Sequence, residues 1–257
     1  MKSILNWRGE SIEVATSKGG TLAVVNPADN LILTGTTLWP PSEIVQKLYQ
    51  SRQVHAFEGH DLEAATHKMG FYSDLQSLHS EDAITWSVFG VVAYASQEIR
   101  CAFADALLNL LGIAASPART AHIALWRRIP HPDTLVSGGP EIDVVLQTEQ
   151  AIIFGEAKWR SGIGRAQGKE RDKDQIALRR EFFEKYGLAI YGKVPHYIVL
   201  GVSPQGGLLG NGETTLNQGK LSMRDLTWES VCGINSHPGA QELQKYLKWK
   251  VQNSKGV

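Results

Sequence analysis

The chain opens on three short runs of mixed apolar and polar residues. SIEVATS (11–17), TLAVVN (21–26) and LILTGTT (31–37) are rich in β-branched residues, and Lys18-Gly19-Gly20 and Asn26-Pro27-Ala28-Asp29-Asn30 supply turns. Residues 1–35 are therefore expected to form short strands. Pro40-Pro41-Ser42 opens an expected helix, SEIVQKLYQS. From Ser80 the period changes. Ser80 suits an N-cap, and Glu81 and Asp82 suit the positive end of a helix. Ile84, Val88, Val91, Val92 and Ala95 recur at helical spacing. A second apolar helix is expected from Gln97 to Leu111, ended by Gly112.

Strand patterns follow. HIALWRRI (122–129) reads as a strand and residues 131–139 as a Pro- and Gly-containing loop. Glu141 to Gln147 and Ala151 to Lys158 read as a hairpin with its turn near Thr148-Glu149. A glycine-rich connection (Gly162, Gly164, Gly168) leads to an expected helix from Asp172 to Tyr186. HYIVLGV (196–202) reads as a buried strand, and Ala240 to Val251 as a last helix. The order predicts an α/β fold in which helices flank a mixed central sheet. Residues 1–79 form a β-rich N-terminal extension in this reading, and residues 80–257 the main domain.

Composition narrows the function classes. Apolar residues make up 42% of the 257, enough for a sizeable core, so disorder is excluded. Lys plus Arg equals Asp plus Glu, at 26 each, so any nucleic-acid binding must rest on a local basic surface. Such a surface is suggested between Lys158 and Lys185, where nine basic residues (Arg165, Arg179 and Arg180 among them) face five acidic ones, a balance of +4. The plainer reading of its helical half is a solvated, salt-bridged face. Cys101 and Cys232 lie in apolar surroundings and read as buried free thiols. MKSILNWRGE lacks a signal-peptide core, and Ala102 to Ala115, interrupted by Asp105 and Asn109, is too short to span a bilayer. The expectation is a cytoplasmic protein without membrane attachment. The eight histidines show no HxxxH or HExxH spacing, which argues against zinc, and no P-loop is present.

The segment that carries chemistry is PEIDVVLQTEQAIIFGEAKW (140–159). In a strand, side chains alternate faces, so Glu156 and Lys158 point the same way and Ala157 the other, while Glu141 and Asp143 share a face. Ile152, Ile153 and Phe154 are continuous, as in a strand buried on both sides. Such a strand should not end in Glu-Ala-Lys unless those charges find partners or a cleft. Two carboxylates, Asp143 and Glu156, suit a hard cation such as Mg²⁺. Lys158 suits orienting or deprotonating a water, or stabilising charge that develops on a phosphoryl group. An acid and a lysine two apart is a weak signal alone. It gains from ending an apolar strand and from an Asp 13 residues upstream.

Ile142-Asp143 followed by Gly155-Glu156-Ala157-Lys158-Trp159 resembles the PD-(D/E)xK nuclease superfamily, over residues 80–230. The resemblance implies a restriction-endonuclease-like core and hydrolysis of phosphodiester bonds, with DNA as partner and Mg²⁺ (Mn²⁺ as substitute) as cofactor. Ser80-Glu81-Asp82-Ala83-Ile84-Thr85-Trp86 resembles the acidic first-helix motif of several branches, which makes Glu81 a further metal-side carboxylate. Gln175 is similar to an amide found on the helix after the motif. The sequence departs from the pattern where Pro140 is followed by Glu141, which stays a second candidate beside Asp143. Asp82 likewise competes with Glu81. The plain alternatives are a strand-end salt bridge for Glu156 and Lys158, a helix-start charge for Glu81, and an exposed helix residue for Gln175. A Mg²⁺-dependent nuclease of the restriction, repair or defence kind is expected. A homodimer suits it, since two sites are needed to cut a duplex in one event. The alternative is a nucleic-acid-binding module that keeps the fold but does not cut.

Overall fold

The computed structural model describes residues 2–16, 20–35, 37, 39–50, 73–130, 141–161, 175–216 and 219–254. The expected loop at 131–139, the three glycines of the 162–168 connection and the start of the helix at Asp172 lie outside the described residues.

The N-terminal stretch forms an antiparallel meander, β1 (Lys2–Leu5), β2 (Ser11–Thr16) and β3 (Leu22–Val24). LILTGTT does not continue it. After a 3₁₀ turn over Pro27–Asn30, the amide of Ile32 donates to Ser87 Oγ at 3.0 Å instead of to a neighbouring strand. Local strand propensity yields here to a tertiary contact that buries Leu31 and Ile32. Helix α1 (Ser42–Gln50) follows.

Helix α2 is a rod in three parts: Glu81–Thr85, a π-helical turn Trp86–Gly90, and Val91–Ala93. Ser80 caps it as expected, its Oγ accepting from Ala83 N at 3.0 Å. Helix α3 (Gln97–Leu110) ends at Gly112, whose φ of 69° is the left-handed conformation glycine adopts freely.

Six strands build the central sheet: β4 (Ala121–Arg128), β5 (Glu141–Thr148), β6 (Ala151–Ala157), β7 (His196–Ser203), β8 (Gly212–Leu216) and β9 (Gly219–Thr227). Their order is β4-β5-β6-β7-β9-β8. The β6–β7 and β7–β9 pairs are parallel and the others antiparallel, so the sheet is mixed. Helix α4 (Gln175–Tyr191) supplies the crossover that the parallel pair β6–β7 requires. It runs five residues past the expected Tyr186, through Gly187, whose bare Cα packs against Tyr197 where a Cβ would lie 3.0 Å from the ring. Helices α5 (Trp228–Cys232) and α6 (Ala240–Asn253) complete the described fold.

Every residue of β6 is buried, as its unbroken apolar run requires. One face of the sheet joins Val144, Leu146 and Ile153 to Trp86, Val88 and Val92 of α2 and to Phe103 and Leu107 of α3. Val14, Val24, Leu243 and Tyr246 belong to this same core, so the N-terminal meander and α6 are packed into it. The opposite face joins Ile152, Phe154 and Val199 to Ile176, Phe182 and Phe183 of α4. The result is a helix–sheet–helix sandwich that meets water on neither face of its middle strands.

Candidate active site

The site grows from the β5–β6 hairpin. Its turn is two residues, Glu149 and Gln150, tied by Thr148 Oγ1, which accepts from the amides of Gln150 (3.1 Å) and Ala151 (3.0 Å). That turn sets the register. Val144 pairs with Gly155, so the next position along sets Asp143 beside Glu156. Gly155 leaves the room this pair needs, since a Cβ there would lie 3.1 Å from that of Val144. Asp143 Oδ2 accepts from the amide of Ala157 at 2.9 Å, which fixes the carboxylate at the end of the ladder.

Lys158 is the first residue past β6. Its amide donates to Val202 O at 2.8 Å, and its carbonyl accepts from Trp228 Nε1 at 2.8 Å. The backbone is thus held on both sides, and the side chain returns over the strand end. Its Nζ lies 2.7 Å from Glu156 Oε1 and 3.0 Å from Glu81 Oε1. Glu81 is the first residue of α2, and its other oxygen accepts from Ser161 Oγ at 2.7 Å. The structure therefore brings Asp143, Glu156, Lys158 and Glu81 together. Gln175 heads α4 but makes no hydrogen bond to these four among the described residues. Its Oε1 is buried without a hydrogen-bond partner among the described residues.

Two candidates are drawn elsewhere. Glu141 pairs with Lys47 and, at 3.7 Å, with Arg128. Asp82 accepts from Trp126 Nε1 at 3.1 Å and has Lys47 Nζ at 3.6 Å. Trp126 has a φ of 50°, an uncommon conformation for a bulky residue, in the middle of β4.

Sequence reasoning missed Arg179 as a site residue. The sequence places it within the basic run that suggests a phosphate-tracking surface. Instead it is fully buried, paired with Glu156 Oε2, and its Nη2 donates to Glu141 O at 2.8 Å. The signal was available in the helical period: Arg179 falls on the stripe of Ile176, Phe182 and Phe183, so it had to face the sheet. Lys47 carried no such signal.

Burial and charge together set the titration of the site. Burial, and then the charge of Asp143, push the Glu156 carboxyl above its ordinary range, while Arg179 and Lys158 pull it down. Burial acts to lower Lys158, but Glu156, Asp143 and Glu81 outweigh it, and the ammonium is held well above the usual lysine range. Burial pushes Asp82 up to about 7, against Lys47 and with help from Asp143, Glu81 and Glu141.

Among the described residues, no three His, Cys, Asp or Glu side chains are grouped so as to hold a metal ion. The donor chemistry nevertheless fits a hard divalent cation. Mg²⁺ is ordinarily held by one or two carboxylates together with waters and substrate phosphates, not by an all-protein cage. Asp143 Oδ2 accepts one amide hydrogen bond and each Glu156 oxygen meets one cation, so each of these oxygens keeps a lone pair. Comparison of the chain with protein families, with curated proteins and with solved structures finds no match. No described helix is long and apolar enough to cross a membrane.

Proposed function

We propose that this protein is a metal-dependent nuclease with a restriction-endonuclease-like core, hydrolysing phosphodiester bonds in DNA. The observation that carries the reading is the cross-strand placement of Asp143 beside Glu156, with Lys158 bridging Glu156 and Glu81 at the end of a buried strand.

Asp143 and Glu156 would hold Mg²⁺, or Mn²⁺ in its place, with Glu81 as a further acid beside them. When bound, the cation supplies a Lewis acid for the phosphoryl oxygen and lowers the pKa of its water. Lys158 remains an ammonium between its carboxylates, so of its expected roles, orienting the water and stabilising developing charge are favoured over deprotonation. Arg179 aims the Glu156 carboxylate and opposes the upward push that burial gives its pKa. The exposed Arg127, Arg128 and Arg160 lie on β4 and just beyond β6 and suit contacts to phosphate.

Circular DNA incubated with the protein and Mg²⁺ or Mn²⁺ should be nicked or linearised, and EDTA should stop the reaction. Equal cutting by Lys158→Ala would overturn the assignment. One observation favours a second reading, a non-cleaving nucleic-acid-binding module. Both Glu156 oxygens already face cations, as in a closed structural ion-pair network. DNA binding at low salt with no strand scission under either metal would establish it.

A further inference from the structure

Lys47 belongs to the N-terminal extension, to which no role is attached, yet it reaches the end of β5. Helix α1 is anchored beside the site by Ile44, which is fully buried, and by its first turn. There Ser42 Oγ lies 3.2 Å from the Tyr94 hydroxyl, which also donates to Glu43. Lys47 is one turn on from Ile44 and so projects from the same face. Its ammonium pairs with Glu141, lies 3.6 Å from Asp82 Oδ1, and stands 5.5 Å from the centre of the Trp126 ring. That ring stacks on Trp86 of α2 at 6.4 Å and donates to Asp82, so Lys47, Trp126 and Asp82 form a packed unit.

This unit sorts the acids. Five carboxylates converge on this end of the sheet: Glu81, Asp82, Glu141, Asp143 and Glu156. Two ammonium groups divide them. Lys158 meets Glu156 and Glu81, and Lys47 meets Glu141 and Asp82. Asp143 lies in the field of both. Building on the metal-dependent reading above, we propose that Lys47 is a positioning residue: it keeps Glu141 and Asp82 out of the cation-binding set, so that Asp143 is the acid of β5 that serves it. The N-terminal extension is then part of the active site, with Lys47 acting as a built-in cation where a stray metal would otherwise settle.

The test is Mn²⁺ binding by calorimetry in the absence of DNA, read beside nicking of circular DNA with the full chain. Lys47→Met frees two acids to compete. Its Mn²⁺ affinity should rise while nicking falls about tenfold, the scale of loss seen when groups that orient metal ligands are removed. Lys47→Arg should restore both values, and Lys47→Met with Glu141→Gln should return the affinity toward that of the unmodified chain. A folded Lys47→Met with unchanged affinity and nicking, beside an active unmodified chain, would overturn this proposal and leave the nuclease reading intact. Glu141→Gln alone tests the same point should Lys47→Met not fold. Unchanged affinity supports the proposal, and a tenfold loss would make Glu141 a direct ligand and sink it. An unmodified chain that neither binds Mn²⁺ nor nicks DNA overturns the nuclease reading, and this proposal with it.

Discussion

Arg179 and Glu156 meet with both side chains sealed from solvent, and their ion pair joins α4 to the end of β6. The pair sits where two layers of the sandwich touch, between a helix face that is otherwise apolar and the buried end of a strand. Removing one partner strands the other charge, and that is the costly event, more than the loss of attraction itself. Arg179→Met is expected to lower the unfolding free energy by about 3–5 kcal/mol. Combined with Glu156→Gln it should cost clearly less than the two single changes summed. Urea denaturation of the three variants checks this, and additive costs would show that the pair is not coupled.

Lys158 holds an ammonium 2.7 Å from Glu156 and 3.0 Å from Glu81. Lys158→Ala should reduce nicking of circular DNA by at least about a hundredfold, the scale of losing one preorganised electrostatic donor. Lys158→Arg should not recover it fully, because the planar guanidinium does not fit the place of a compact ammonium.

Gly90 closes the π-helical turn, and a Cβ there would lie 2.4 Å from Trp86 Cε3. Gly90→Ala improves helix propensity by at most about 1 kcal/mol. Overpacking against a fully buried indole, itself stacked on Trp126, is expected to cost about 1–3 kcal/mol and to decide the sign. A higher melting temperature for Gly90→Ala would refute the close packing at this turn.

Lys250 is fully buried, its Nζ has no hydrogen-bond partner among the described residues, and it lies 5.6 Å from the Trp159 ring centre and 5.8 Å from that of Tyr246. Burial pulls its pKa down to about 7. The folded value is then below the unfolded one, so the unfolded chain binds the extra proton between about pH 7 and 10.5. Over that window stability should rise with pH, by a few kcal/mol. Lys250→Met should flatten this slope and stabilise the protein at pH 7. Thermal unfolding at pH 7 and pH 10 gives the comparison. An equal slope in the variant would mean that Lys250 reaches water.

Much of the fold was legible locally. Ser80 was readable as a cap because capping joins residues three apart. The β5–β6 hairpin was readable because its turn is two residues and its strands are apolar. Strands β8 and β9 were not read. GETTL is an edge strand open to water, and GKLSMRDLT is only half-buried, so neither carries a continuous or cleanly alternating apolar run. LILTGTT was read as a strand on propensity alone, and a contact to Ser87 took its backbone elsewhere.

The sequence by itself determined the β5–β6 hairpin: which acid and which lysine share a strand end, and that β6 would be buried on both faces. Only the tertiary structure decided the partners. Glu81 reaches Lys158 across 77 positions, and Lys47 reaches Glu141 across 94. It also decided that Arg179 serves Glu156 and not a surface. The physical reason is one of range. Periodicity reports which side of an element faces inward, because side chains repeat every two or 3.6 residues. Which inward-facing charges meet depends on how separate elements stack, and only the packed layers carry that information.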